Sequence, residues 1–103
     1  MGDPVGRYTL MVNQMAALGI TTMVDFGPSY GEEDAYVELM RAVAPHAQAK
    51  GVQISMKLHH AAQNGASIMS EQVATHDAVN HPAFGLCMDP GSHSLLDLCS
   101  LAP

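Results

Sequence analysis

Three short apolar runs recur at one spacing, and each runs into a polar residue able to do chemistry. Ile20-Thr21-Thr22-Met23-Val24 ends in Asp25, Val52-Gln53-Ile54-Ser55-Met56 in Lys57, and Phe84-Gly85-Leu86-Cys87-Met88 in Asp89. Asp25 and Lys57 are 32 positions apart, and Lys57 and Asp89 are again 32 apart. One strand plus its return helix in a (β/α)8 barrel of about 250 residues takes roughly 31 residues, and chemistry in that fold collects where the strands end. The period therefore suggests an architecture and a place to look for a site.

The segments between the runs read as helices. Tyr8, Met11, Val12, Met15 and Leu18 recur at three- and four-residue spacing and predict an amphipathic helix over 5–18, stopped by Gly19. A strand follows at 20–25, then a loop at Gly27-Pro28-Ser29-Tyr30-Gly31. Glu32, Glu33 and Asp34 suit a helix N-terminus, and Tyr36, Leu39, Met40, Val43 and Ala47 form the stripe behind them. Pro45 interrupts that stripe and predicts a kink or a restart, before Lys50-Gly51 ends the helix. The second strand is 52–58, and His59–Gly65 is a loop. A third helix spans 66–79, with Ile68, Met69, Gln72, Val73, His76 and Val79 near one face. Asn80-His81-Pro82 breaks it, strand 84–88 follows, Asp89-Pro90-Gly91-Ser92 turns, and a short helix closes 94–101.

Alternation of this kind implies parallel strands with right-handed crossovers, in a barrel segment or a doubly wound sheet. Polar groups at all three strand ends favour the barrel. No Gly-rich phosphate-binding loop follows any strand, which weakens nucleotide-binding alternatives. The fold class expected is α/β, a partial (β/α)8 TIM barrel of about three βα units, in one domain over 1–103.

A net charge of −6 with only four basic residues argues against a phosphate-neutralising nucleic-acid surface. No apolar stretch approaches the roughly 20 residues of a membrane span, and the N-terminus lacks the features of a signal peptide. Cys87 and Cys99 make no disulfide framework, so a reduced, buried pair and a cytoplasmic location are expected. The eight methionines read as core filler.

Lys57 and His59 share strand parity and would point the same way. A lysine and histidines at a strand end can polarise a carbonyl, shuttle a proton or bind a metal; the alternative is a solvated loop carrying His59 and His60. Asp89 ends an apolar strand and can bind a hard cation through oxygen, or simply start an Asp-Pro-Gly turn. His93 is either a second ligand or a helix N-terminal residue. Asp25 either joins the same mouth or is a loop residue before Gly27-Pro28. His46, His76 and His81 read as surface or capping residues. No G-x-S-x-G elbow supports serine hydrolysis.

Three stretches carry a family resemblance. Ala44-Pro45-His46-Ala47 through Lys50-Gly51-Val52, then Ile54-Ser55-Met56-Lys57-Leu58-His59-His60, then His81-Pro82-Ala83-Phe84-Gly85-Leu86-Cys87-Met88-Asp89-Pro90-Gly91-Ser92 resemble the sugar phosphate isomerase/epimerase family of xylose isomerase-like TIM barrels. The resemblance runs from about Leu18 to Leu95 and matches about the fourth to sixth strands. Its most specific element is the apolar strand ending in Asp-Pro-Gly after His-Pro-x-Phe. Lys-Leu-His-His is similar to the Lys-Pro-His-His of a subset of members.

The resemblance implies a barrel mouth where a divalent metal (Mn, Mg, Co or Zn) binds two sugar oxygens and a hydrogen moves through an enediolate. Asp89 matches the metal-binding aspartate of the sixth strand. Lys57 stands where many members have a metal-binding glutamate, a departure because a cation cannot replace a carboxylate ligand. Beside a metal, Lys57 would stabilise the developing oxyanion. The histidine and glutamate ligands of the seventh and eighth strands have no counterpart in this sequence. The function expected is therefore a fragment of a metal-dependent sugar isomerase or epimerase acting on a sugar-like small molecule, with little activity by itself. The alternative is a non-catalytic barrel piece whose exposed edges and apolar face make it a homo-oligomer. A relative of the DNA-repair endonucleases that share this barrel is disfavoured by the acidic charge.

Overall fold

A computed structural model describes residues 3–58 and 69–88. Its elements are α1 (Pro4–Ala17), β1 (Thr22–Asp25), α2 (Glu33–Lys50), β2 (Gln53–Leu58), α3 (Met69–Val79) and β3 (Phe84–Met88). The turn expected at 89–92, the helix expected at 94–101 and the first turn expected for the third helix lie outside the described residues.

The helices form where the apolar spacing requires them. Pro4 opens α1, where a missing N–H costs nothing. Gly19, at φ 79°, and Gly51, at φ 74°, take the left-handed conformation that ends α1 and α2. Leu18 was expected on the buried stripe of α1 but is 76% exposed, because the chain already turns away there. The Ile20 amide reaches back to the Met15 carbonyl at 2.9 Å, so strand pairing begins only when the Gln53 amide donates to Thr21 at 2.8 Å. That delays β1 relative to the expected 20–25.

The helix α2 does not restart at Pro45; it runs unbroken to Lys50. Pro45 and Arg41 sit on the exposed side, so water can satisfy the carbonyl that lost its partner. The Arg41 guanidinium donates to the Ala78 carbonyl at 3.1 and 2.6 Å, capping the last turn of α3. Asn80, at φ 46°, then turns the chain out of the helix.

The sheet is parallel in the order β1-β2-β3. Its register pairs Met23 with Ile54, Asp25 with Met56, Met56 with Leu86, and Lys57 with Cys87. Laterally paired residues share a face, and faces alternate along each strand. One face is the core: Met23, Ile54, Met56 and Phe84 pack with Val12, Tyr36, Met40, Val43, Ala44 and Ala47 of the helices. The other face carries Thr22, Val24, Gln53, Ser55, Lys57, Gly85 and Cys87. Val24 is 55% exposed there, and among the described residues no second layer covers β1. Cys87 is half-buried rather than fully buried, and Cys99 lies outside the described residues.

Candidate functional site

The register separates two residues that the spacing alone placed at one mouth. Asp25 pairs with Met56 and Lys57 with Cys87, so the two point to opposite faces. Asp25 faces the helices. Its Oδ1 accepts the Tyr8 hydroxyl of α1 at 2.7 Å, and its Oδ2 accepts the Tyr36 hydroxyl of α2 at 2.7 Å. The Gly27 amide donates to the same Oδ2 at 3.2 Å. Three donors on one carboxylate tie α1, α2 and the loop after β1 together. Asp25 is thus neither a mouth residue nor an unengaged loop residue.

Electrostatics follow from this packing. Burial pushes the Tyr8 phenol well above its usual range, and the hydrogen bond and negative charge of Asp25 push it the same way. Tyr36, only 7% exposed, is pushed up further by burial and then by the Asp25 charge and hydrogen bond. Both phenols stay protonated donors at neutral pH.

The opposite face holds Lys57. Its Nζ lies 5.0 Å from the centroid of the Phe26 ring, a cation–π distance. Phe26 follows Asp25, has the other parity, and is 71% exposed. Gly27 next to it, at φ 87°, must be glycine for a second reason: a Cβ there would come within 2.8 Å of Met56 Cγ. Ser55 lies one residue pair below Lys57 on the same face and is buried. The described part of this face carries one charge, the Lys57 ammonium, and no carboxylate. A cation at the end of the central strand can hold developing negative charge on a substrate oxygen.

His59 and Asp89, the other two expected site residues, lie outside the described residues, as do His60 and His93. Of the remaining histidines, His46 reaches Asn13 of α1 at 2.7 Å, and His81 accepts the Ala83 amide at 3.0 Å. His76 stacks on Phe84 with ring centroids 6.0 Å apart. All three are half-buried and engaged by neighbours, where surface or capping positions were expected.

A divalent cation was expected here from the resemblance. Among the described residues no group of three or more His, Cys, Asp or Glu could hold one. The residue expected to bind it, Asp89, lies outside them, and the Lys57 ammonium at the β2 end is not a metal ligand. Nor is any helix among the described residues long and apolar enough to cross a membrane.

Sequence reasoning missed Phe26 and the two tyrosines. Tyr8 and Tyr36 were read only as members of apolar stripes. The available signal was a tyrosine on each helix flanking a strand that ends in aspartate.

No protein-family profile matches the chain. It is 26% identical over 90 residues to a 3-oxo-isoapionate decarboxylase of Pectobacterium atrosepticum, covering 87% of this chain and 31% of that protein. Among solved structures it is similar to D-allulose 3-epimerase from Methylomonas sp., with a TM-score of 0.68 at 22% identity, over 84% of this chain and 34% of that one. The same enzyme in complex with D-allulose matches equally well. A xylose isomerase-like TIM barrel protein from Mycobacterium smegmatis, in complex with magnesium, matches with a TM-score of 0.62 at 17% identity, over 80% and 33% of the two chains. The chain thus spans about a third of the length of each protein it matches. Three parallel strands in sequence order, a helix layer on one face and these matches give the chain the fold of a partial TIM barrel, three neighbouring strands each preceded by a helix.

Proposed function

We propose that residues 1–103 form the central part of a sugar isomerase- or epimerase-like barrel. The face away from the helices would hold a sugar or related keto substrate. The observation that carries this reading is the Lys57 ammonium near the end of the central strand, on the face away from the helices, with the Asp25 carboxylate turned to the other side.

The chemistry follows from that placement. Breaking a bond to the carbon beside a carbonyl pushes an electron pair onto the carbonyl oxygen. The Lys57 ammonium stabilises that oxygen as the enediolate forms. To His59, which lies outside the described residues, this reading assigns the taking and returning of the proton. Asp89 is the carboxylate this reading assigns to a divalent cation such as the magnesium of the Mycobacterium smegmatis protein, and no step above runs through the ion. Epimerisation breaks a C–H bond beside the carbonyl, and decarboxylation of a 3-oxo acid breaks a C–C bond there. The same ammonium serves both, so the similarity to an epimerase and to a decarboxylase is chemically coherent.

Calorimetric binding of a sugar hydroxamate, an enediolate mimic, tests the reading. Wild type should bind it and Lys57→Met should bind at least tenfold more weakly. Equal affinities would remove Lys57 from the site.

A second reading has its own observation. Val24 on the edge strand β1 and Phe26 just after it, 55% and 71% exposed, suit a module that self-associates without catalysis. Sedimentation separates the two: a stable oligomer that ignores the hydroxamate favours the module, and a monomer that binds it favours the enzyme segment.

A further inference from the structure

Asp25 touches neither Lys57 nor the open face, yet its hydrogen bonds bracket the residue that does. Its backbone precedes Phe26 and its Oδ2 accepts the amide of Gly27, so Phe26 sits inside a closed two-residue loop. The carboxylate cannot swing, because Tyr8 and Tyr36 grip its two oxygens from two different helices. Gly27 cannot shift inward, because Met56 fills the space where its Cβ would be. The Phe26 backbone is thereby held, its ring lies on the far side of the sheet, and Lys57 Nζ is 5.0 Å from the ring centre.

We infer that Asp25 is a positioning residue for Lys57, acting through the Gly27 amide and the Phe26 ring. The helix layer sets the place of the ammonium on the opposite face of the sheet by this route. Lysine has a long flexible stem, and an aromatic face held in one place limits where its charge can rest. The inference rests on the reading that Lys57 acts on substrate, but the geometry it asserts is measurable without any substrate.

The chain has only two lysines, Lys50 and Lys57, which makes the test direct. Protons above an aromatic ring resonate upfield. In the wild-type chain labelled with 13C-lysine, the Lys57 ε-methylene signal should lie upfield of that of Lys50. Phe26→Leu should remove the displacement and define its zero. Asp25→Ala should lose at least half of it. Asp25→Asn should keep it, because the amide oxygen can stand in for Oδ2 while its NH2 donates to the Tyr8 oxygen. Retention in Asp25→Ala overturns the inference. Equal loss in Asp25→Asn also overturns it, since the effect would then be charge rather than geometry. Should Asp25→Ala fail to fold, Tyr8→Phe/Tyr36→Phe takes its place: loss of the displacement supports the inference and retention refutes it. The hydroxamate affinity of Lys57→Met is read separately, so failure of the functional reading leaves these shifts unchanged.

Discussion

Raising the pH should unfold this protein through two tyrosines. In the unfolded chain a tyrosine ionises near about pH 10. In the folded chain Tyr36 is buried against the Asp25 carboxylate and holds its proton well beyond that, chiefly because burial penalises the phenolate. A group whose proton is held more tightly when folded contributes stability below its unfolded pKa and loses it as the pH rises toward the folded value. Tyr36 alone should therefore remove about 2.7 kcal/mol by about pH 12, at about 1.4 kcal/mol per pH unit. Tyr8 adds in the same direction but less, being half-buried and partly screened by water. Tyr36→Phe removes both the penalty and the charge-assisted hydrogen bond, which is worth roughly 1.5–3 kcal/mol at neutral pH. The variant should thus be less stable than wild type at neutral pH, and the two curves should meet between about pH 11 and pH 12. The chain has no tryptophan, so tyrosinate absorbance is cleanly read beside circular dichroism and urea midpoints. Phenolate of Tyr36 appearing while the circular dichroism stays native would refute the argument. So would a constant stability gap between variant and wild type across the alkaline range.

Met56 is fully buried in the middle of the central strand, so Met56→Ala should cost roughly 2–5 kcal/mol in urea unfolding, with an unchanged denaturant slope. Gly27→Ala should cost more than the roughly 1–2 kcal/mol of a left-handed residue, because its Cβ also meets Met56; a urea midpoint equal to wild type would contradict this. Asp89→Ala should weaken Mn2+ binding, followed by the paramagnetic resonance of the free ion; equal affinity would take Asp89 out of any metal site.

The architecture was legible because periodicity and punctuation are local signals. The 32-residue rhythm, the glycines at 19 and 51 and the stripe of α2 required no knowledge of tertiary contacts. Two differences came from long-range facts. Pro45 predicts a kink or a restart, and the restart does not occur: its side of α2 faces water, which a sequence period cannot weigh against the packing of Met40, Val43 and Ala47 on the other side. Asp25 looked like a mouth residue because the rhythm counts positions along the chain and does not fix strand phase. The first run ends one residue out of phase with the second: Asp25 aligns with Met56, and it is Phe26 that shares the face of Lys57. Lys57 itself was legible as a polar strand end. Its aromatic neighbour was not, since a phenylalanine in a loop carries no chemical signal until the fold brings a cation to it.

The proposed function depends on which face of the sheet meets the substrate, and the two lysine signals report on that directly. Lys57 is on the open face at the end of β2, and Lys50 is in the last turn of α2. On saturation with a sugar hydroxamate, the Lys57 ε-methylene signal should move while that of Lys50 stays in place, and Lys57→Met should abolish binding-induced changes along β2. Movement of Lys50 with a stationary Lys57 would contradict the assignment of the open face as the reactive one.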